Sequence, residues 1–375
     1  MAITNTDFQN IALAISAYSD EAYTTAKKLN GTGIVAADQR IDASGESFVG
    51  QFRWYKPLNS TVNVASLASA TDGTYTSMST DVANFVKTVR TFGAEQVNMQ
   101  EVVSKQDGLA KIARDFAEVR AQDEHDALLS VIKGVALSEL ALGNASDTGT
   151  AGNGGIISFD TDADAAATGF FVDVNAAGLH GAASTGASDA RKLFDSSAMG
   201  AARGERLFRS VGAAFKDHEP DFMYLVTSPE VMAEMRAANL VDETKITEGN
   251  LEFSTVFGGK FRLVMTRANQ MVTMPNTGDL VAESTKCSFV IKPGSVAATA
   301  INMPTPVEVD RAAASYLGGG STNVWYRWGY INHPMGYDWA GSSSAFATNA
   351  TMGAGASYTR KMDSLNLGIL PIFHA

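Results

Sequence analysis

The sequence contains one cysteine, Cys287, so no internal disulfide can staple the fold. A reducing compartment is the simplest setting for such a chain. Cys287 lies in the apolar run Cys287-Ser288-Phe289-Val290-Ile291, where it reads as a small buried hydrophobe. Proline is scarce, at 9 residues in 375. Cations are too few to balance the acids: 29 Lys and Arg stand against 40 Asp and Glu. The formal charge of -11 argues against tight binding of nucleic-acid phosphates.

Long apolar runs are missing too. Gly, Ser or charge breaks each one, so no membrane span is expected. The N-terminal stretch does not read as a signal peptide. Its first basic residue is Lys27, and Asp7, Asp20 and Glu21 interrupt any apolar core. Without a secretory signal, the glycosylation patterns at Asn59, Asn144 and Asn349 carry no implication.

The motifs of phosphate loops, HExxH metalloproteases and GxSxG esterases are absent, as are Cys/His metal clusters. Gly152-Asn153-Gly154-Gly155 follows no strand and opens no helix, so it reads as loop. The histidines His125, His180, His218, His333 and His374 never stand at ligand spacing from one another. His125, on a polar helical stretch, reads as exposed, and His333, before Pro334, as structural. Asp160, Asp162 and Asp164 alternate as a calcium loop does, but the Gly and distal Glu are lacking. They read as a solvated acidic turn. No catalytic residue, cofactor or metal is expected.

What is present is enough to fold. The hydrophobic share is 45% and the charged share 18%. The length exceeds what one core usually serves, so two or more lobes are expected. Residues 1–45 read as an irregular arm with a helical patch at Phe8 to Tyr23. Residues 46–97 read as a long β-hairpin with arms Phe48 to Tyr55 and Asn84 to Phe92. Its tip, Ser66 to Thr80, is Ser, Thr, Ala and Gly, too small and polar to build a core.

The strongest helical pattern runs from Lys105 to Leu142. Leu109, Ile112, Ala113 and Phe116 mark one apolar patch, and Leu128, Val131, Ile132 and Val135 another. The charged span Glu118 to Asp126 separates them, and Gly143-Asn144 reads as the stop. Residues 143–190 read as loop with short strands at Ile156 to Phe159 and Phe170 to Val174.

An α/β lobe follows, with a helix at Arg203 to Lys216 and a buried strand at Phe222 to Val226. Ser228-Pro229-Glu230 opens a second helix: cap, first-turn proline, first-turn acid. Strands are expected at Phe261 to Thr266, Cys287 to Ile291, Pro306 to Arg311 and Val324 to Ile331. The end of the chain reads as a Ser/Ala/Gly-rich tail with an apolar patch, Leu365 to Phe373.

This order of parts resembles the major capsid protein family of tailed bacteriophages. Ile112 to Ala117 leading to Leu128 to Val135 is similar to the family's spine helix, with its Lys133-Gly134 ending. Phe222 to Val231 resembles the axial-domain strand and capped helix. Thr305 to Arg311, residues 324–331 and His333-Pro334-Met335-Gly336 resemble the return strands of the peripheral domain. The likeness covers roughly residues 46–340 and rests on the order of these parts, since no one motif is specific.

The resemblance implies an α+β fold: N-terminal arm 1–45, E-loop hairpin 46–97 and peripheral domain with spine helix 98–205. An axial domain 206–302, peripheral return strands 303–345 and a C-terminal tail 346–375 complete it. It also implies a structural protein that self-assembles as hexamers and pentamers into an icosahedral shell. That shell encloses double-stranded DNA in a virion assembled in the host cytoplasm. A wall of net negative charge suits DNA that must not stick to it.

The implied partners are a scaffolding protein, a portal protein and a decoration protein. Phe48, Phe52, Trp54, Tyr55, Lys56, Phe85 and Arg90 are the expected inter-subunit contacts on the hairpin. Some family members join neighbours by a Lys–Asn isopeptide bond. Lys56 with Asn323 or Asn332 would be the place here, against the plainer reading of a solvated Lys56. Three rivals remain open on the sequence: an encapsulin-type compartment, an α/β enzyme built on residues 206–300, and a filament or surface-layer subunit.

Overall fold

The computed structural model describes residues 32–44, 47–55, 78, 80–97, 108–146, 172–173, 211–212, 214–215, 219–237, 240–248, 251–266, 286–313, 315, 319–362 and 366–374. The arm helix at Phe8 to Tyr23, Lys56, the hairpin tip 66–77, the strand at Ile156 to Phe159 and the Asp160 cluster lie outside them.

The first half contains β1 (Val35–Ala37), β2 (Val49–Tyr55), β3 (Thr80–Val86), β4 (Thr88–Val97) and the long helix α1 (Gly108–Ser146). The middle contains β5 (Val172–Asp173), β6 (Met223–Thr227), α2 (Pro229–Ala237), β7 (Val241–Glu248), β8 (Leu251–Val256) and β9 (Phe261–Met265). Then come β10 (Lys286–Ile291), β11 (Val296–Ile301), β12 (Val307–Ala312), β13 (Ser321–Pro334) and β14 (Tyr337–Trp339). A short α3 (Asn349–Met352), β15 (Tyr358–Arg360) and β16 (Ile369–His374) close the chain.

The two larger sheets are named peripheral and axial after the expected domains, and the peripheral one is organised around β13. One of its edges pairs with β4 from Ser321 opposite Val97 to Tyr330 opposite Thr88. Its other edge is divided between β12, along Ser321 to Tyr326, and β11, along Gly329 to Pro334. β1 adds a parallel strand to β11, so part of the expected arm belongs to this sheet. Val324, Tyr326, Trp328 and Tyr330 alternate onto one face and are buried there.

That face receives α1. Phe116 stacks on Tyr326 with centroids 5.4 Å apart, and Phe92 meets Phe116 edge-on. Both apolar patches of the helix are buried, through Ala113 and Phe116, then Leu128, Val131, Ile132 and Val135. Gly143-Asn144 does not end the helix, which continues to Ser146. His125 is not exposed either: it is half-buried, with Nε2 3.4 Å from Thr266 Oγ1.

The axial sheet runs β5-β16-β10-β6-β9-β8-β7. β6 is buried along its whole length and pairs parallel with β9, as a two-sided strand beneath helices should. The Ser228 hydroxyl accepts the Val231 N–H at 3.4 Å, which is the expected cap of α2.

Two further features depart from the sequence reading. The apolar patch in the expected tail forms β16, which pairs with β10 from Lys286 opposite His374 to Ile291 opposite Ile369. Burial of Leu370 and Ile372 against the axial sheet is the driving force. β11, expected within the axial segment, instead pairs with β13 in the peripheral sheet. Chain connectivity is local, whereas strand partnership is decided by which apolar face needs cover.

Candidate assembly surface

The hairpin is built on two-residue alternation. β2 and β3 pair from Val49 opposite Val86 to Tyr55 opposite Thr80. Phe52 and Trp54 therefore point one way and Gln51, Arg53 and Tyr55 the other. The first set joins Phe85, Ala83, Ile41, Ala297 and Ile331 in a core of its own. The returning arm is not one strand: it divides at Lys87, and β4 leaves the hairpin for the peripheral sheet.

Under this core lies His333, edge-on to Phe52 at 5.1 Å. Burial pushes its pKa down to about 4; the nearby Asp38 carboxylate opposes that shift and Arg40 adds to it. Arg40 pairs with Asp38 and lies over the Phe52 ring at 5.6 Å. The segment before the hairpin thus clamps its base onto β13.

These contacts relocate several expected interface residues. Phe52, Trp54 and Phe85 are only 6%, 7% and 1% exposed within their own chain, leaving little surface for a neighbour. Phe48 is half-buried and meets Phe346 edge-on at 4.8 Å. Arg90 donates to the Ala347 carbonyl and to Asn349 Oδ1, both at 2.9 Å, and pairs with Asp123 at 3.4 Å. Tyr55 is the residue of that set left open, at 67% exposure, and Lys56 lies outside the described residues. The apolar face of the β2–β3 pair finds its own β13 first, because that contact costs no association entropy.

Other apolar groups remain wet on the single chain: Met78, Met265, Trp325 and Phe346. Trp325 follows the alternation of β13, standing between the buried Val324 and Tyr326 on the solvent face of the sheet. Its cross-strand neighbours are Gly93 on β4 and Glu308 on β12. Sequence inspection grouped Trp325 with the rest of an aromatic strand. The two-residue period of a strand was the available signal for its outward position, but the opposing glycine was not readable.

A cleft of about 580 Å³ lies between the outer hairpin face and the following loop, lined by Gln51, Asn84, Trp339, Gly341 and Ser343 among others. Its polar groups are amides and hydroxyls. Among the described residues no group of His, Cys, Asp and Glu is placed to hold a metal ion. Cys287 is fully buried, and burial pushes its thiol pKa up, which keeps it protonated.

No protein-family model and no curated protein matches this chain. Among solved structures, the capsid of Ralstonia phage GP4 aligns over 91% of this chain and 87% of its own, with a TM-score of 0.51 at 10% identity. The chain has the phage capsid fold.

Two further capsids lie nearby. That of cyanophage Pam1 covers 94% of this chain and 92% of its own, with a TM-score of 0.49 at 10% identity. That of cyanophage P-SCSP1u covers 91% and 86%, with a TM-score of 0.48 at 11% identity.

Proposed function

We propose that this chain is a major capsid subunit. It self-assembles through hexamers and pentamers into a closed icosahedral head around double-stranded DNA. The alignment with the GP4 capsid over most of both chains is the observation that carries this reading. Wet Tyr55, Met78, Trp325 and Phe346 support it, because repeated symmetric contacts would cover such groups. Each contact needs little area, since a closed shell multiplies it. The charge of -11 fits a wall that contains DNA without holding it in sequence-specific fashion. Tyr55, exposed at the end of β2, meets a neighbour, and scaffolding, portal and decoration proteins complete the head.

The test is assembly of the expressed protein, read by size-exclusion chromatography and negative-stain microscopy. Closed particles or rings of five and six are expected. A monodisperse monomer at all protein and salt concentrations would overturn the proposal.

A further inference from the structure

The hairpin base is seated on a small core apart from the main one. Among the described residues β2 and β3 pair only with each other, so no ladder of backbone bonds ties them to the peripheral sheet. What holds them there is Phe52, Trp54, Ala83 and Phe85 packed on Ile41, Ala297 and Ile331. A side bond, from the Asn84 N–H to Asp338 at 2.6 Å, adds to it. A satellite core of this size opens at lower cost than the main one.

His333 is set into this core and is 2% exposed. A ring N–H donates to the Tyr337 carbonyl, whereas Nε2 is buried with no partner among the described residues. This arrangement suits a neutral ring with its proton on Nδ1. A second proton, on Nε2, would be both a charge and a donor without an acceptor, the costliest kind of buried group.

The charged groups that act on the ring are Asp38 and Arg40, which pair with each other and have opposing effects on it. Asp81, opposite Trp54, and Lys87, bonded to Phe48, stand at the two ends of the inner hairpin face, each with contacts of its own. Asp338 of β14 takes the Asn84 N–H and pairs with Lys361. Arg53 points away to solvent, and β11 places Ala297 opposite His333.

We propose that His333 is an acid-operated release for the hairpin base. A proton added at Nε2 finds no acceptor in the closed core, so its uptake goes with the lifting of β2 and β3 from β13. The device works within one subunit, so it goes beyond the shell reading and does not depend on it.

Thiol accessibility tests it on the full-length chain. Ala83→Cys places a reporter inside the small core, and Cys287, buried in the axial sheet, reports whole-chain unfolding in the same sample. Both are probed with dithiodipyridine, which reacts in acid, and each rate is divided by that of an open model thiol at the same pH. An opened ring takes its proton near pH 6.5 and a closed one near 4, so the open fraction grows as pH falls. From pH 7.5 to pH 5 the relative rate at position 83 should rise about thirty-fold, while Cys287 stays protected. With His333→Gln added, the rise should shrink to about two-fold or less.

An unchanged relative rate at position 83, or a rise that survives His333→Gln, would overturn the release. So would labelling of Cys287 in step with position 83, since acid would then be unfolding the whole chain. If the His333→Gln chain does not fold, deuterium exchange at the imidazole C2 of His333 in the wild type decides instead. A ring that titrates near 4 supports the proposal, and one that titrates near 6.5 overturns it. Each of these outcomes leaves the shell reading where it stands.

Discussion

The Asp123 carboxylate on α1 accepts the indole N–H of Trp328 on β13 at 3.1 Å. The same oxygen accepts the Tyr330 hydroxyl at 3.0 Å, and Arg90 of β4 approaches the other. One acid in the middle of the spine helix thus ties that helix to both long strands of the peripheral sheet. Burial and the nearby Asp123 charge push the Tyr330 pKa up, which keeps the phenol a donor. Asp123→Ala should cost about 2–4 kcal/mol, because buried donors lose an ionised acceptor. Denaturant unfolding of the unassembled subunit measures this, and Asp123→Asn should fall between the two.

Glu139 is fully buried on the same helix and pairs with Arg360 of β15 at 3.1 Å. Removing the cation alone strands a charge in the core. Arg360→Ala should destabilise by roughly 3–5 kcal/mol, and Arg360→Met combined with Glu139→Leu by much less. Comparing the single and double variants by thermal melting separates loss of the pair from loss of packing.

Gly134 makes the opposite case to the usual helical glycine. Exchange to alanine in an exposed helix interior gains about 1 kcal/mol. Here the added Cβ would run into the Met352 carbonyl and come within 2.6 Å of the Tyr358 ring. Gly134→Ala should therefore lower the melting temperature despite its better helix propensity. A rise would mean that the short helix α3, which carries Met352, yields readily.

His333 gives an acid limb to stability. Its folded pKa is about 4, below the unfolded value near 6.5. The unfolded chain takes up the proton first, so stability is complete above about pH 6.5 and falls as pH drops towards 4. The loss amounts to roughly 3 kcal/mol from this group, and below pH 4 its contribution is flat. His333→Gln should flatten the profile between pH 4 and 6.5, leaving a fall at lower pH from Asp38, whose pKa Arg40 lowers. Melting curves across that range, wild type against variant, decide it.

Much of the architecture was legible because it is written in short periods. The two apolar patches of α1, the large-residue runs of β2 and β13, and the Ser228-Pro229-Glu230 start of α2 are properties of neighbouring residues; that β2 buries one face, where both were expected, is not. The interface residues were harder. Large aromatics on a hairpin read alike whether they meet a neighbour or their own chain. Phe52, Trp54 and Phe85 turn inward only because β13 and Ile41 lie beneath them.

The sequence by itself determined the long helix α1, the strands β2, β6, β9, β10 and β13, the lack of disulfides and the acidic charge, since each follows from local pattern or composition. Tertiary structure alone decided that Leu370 and Ile372 close the axial sheet. It also decided that Gly93 lies under Trp325 and that Asp123 sits among Trp328, Tyr330 and Arg90. Those pairings join residues from 33 to 207 or more positions apart. They are selected by which buried faces and polar groups satisfy one another, a choice that exists only once the chain has folded.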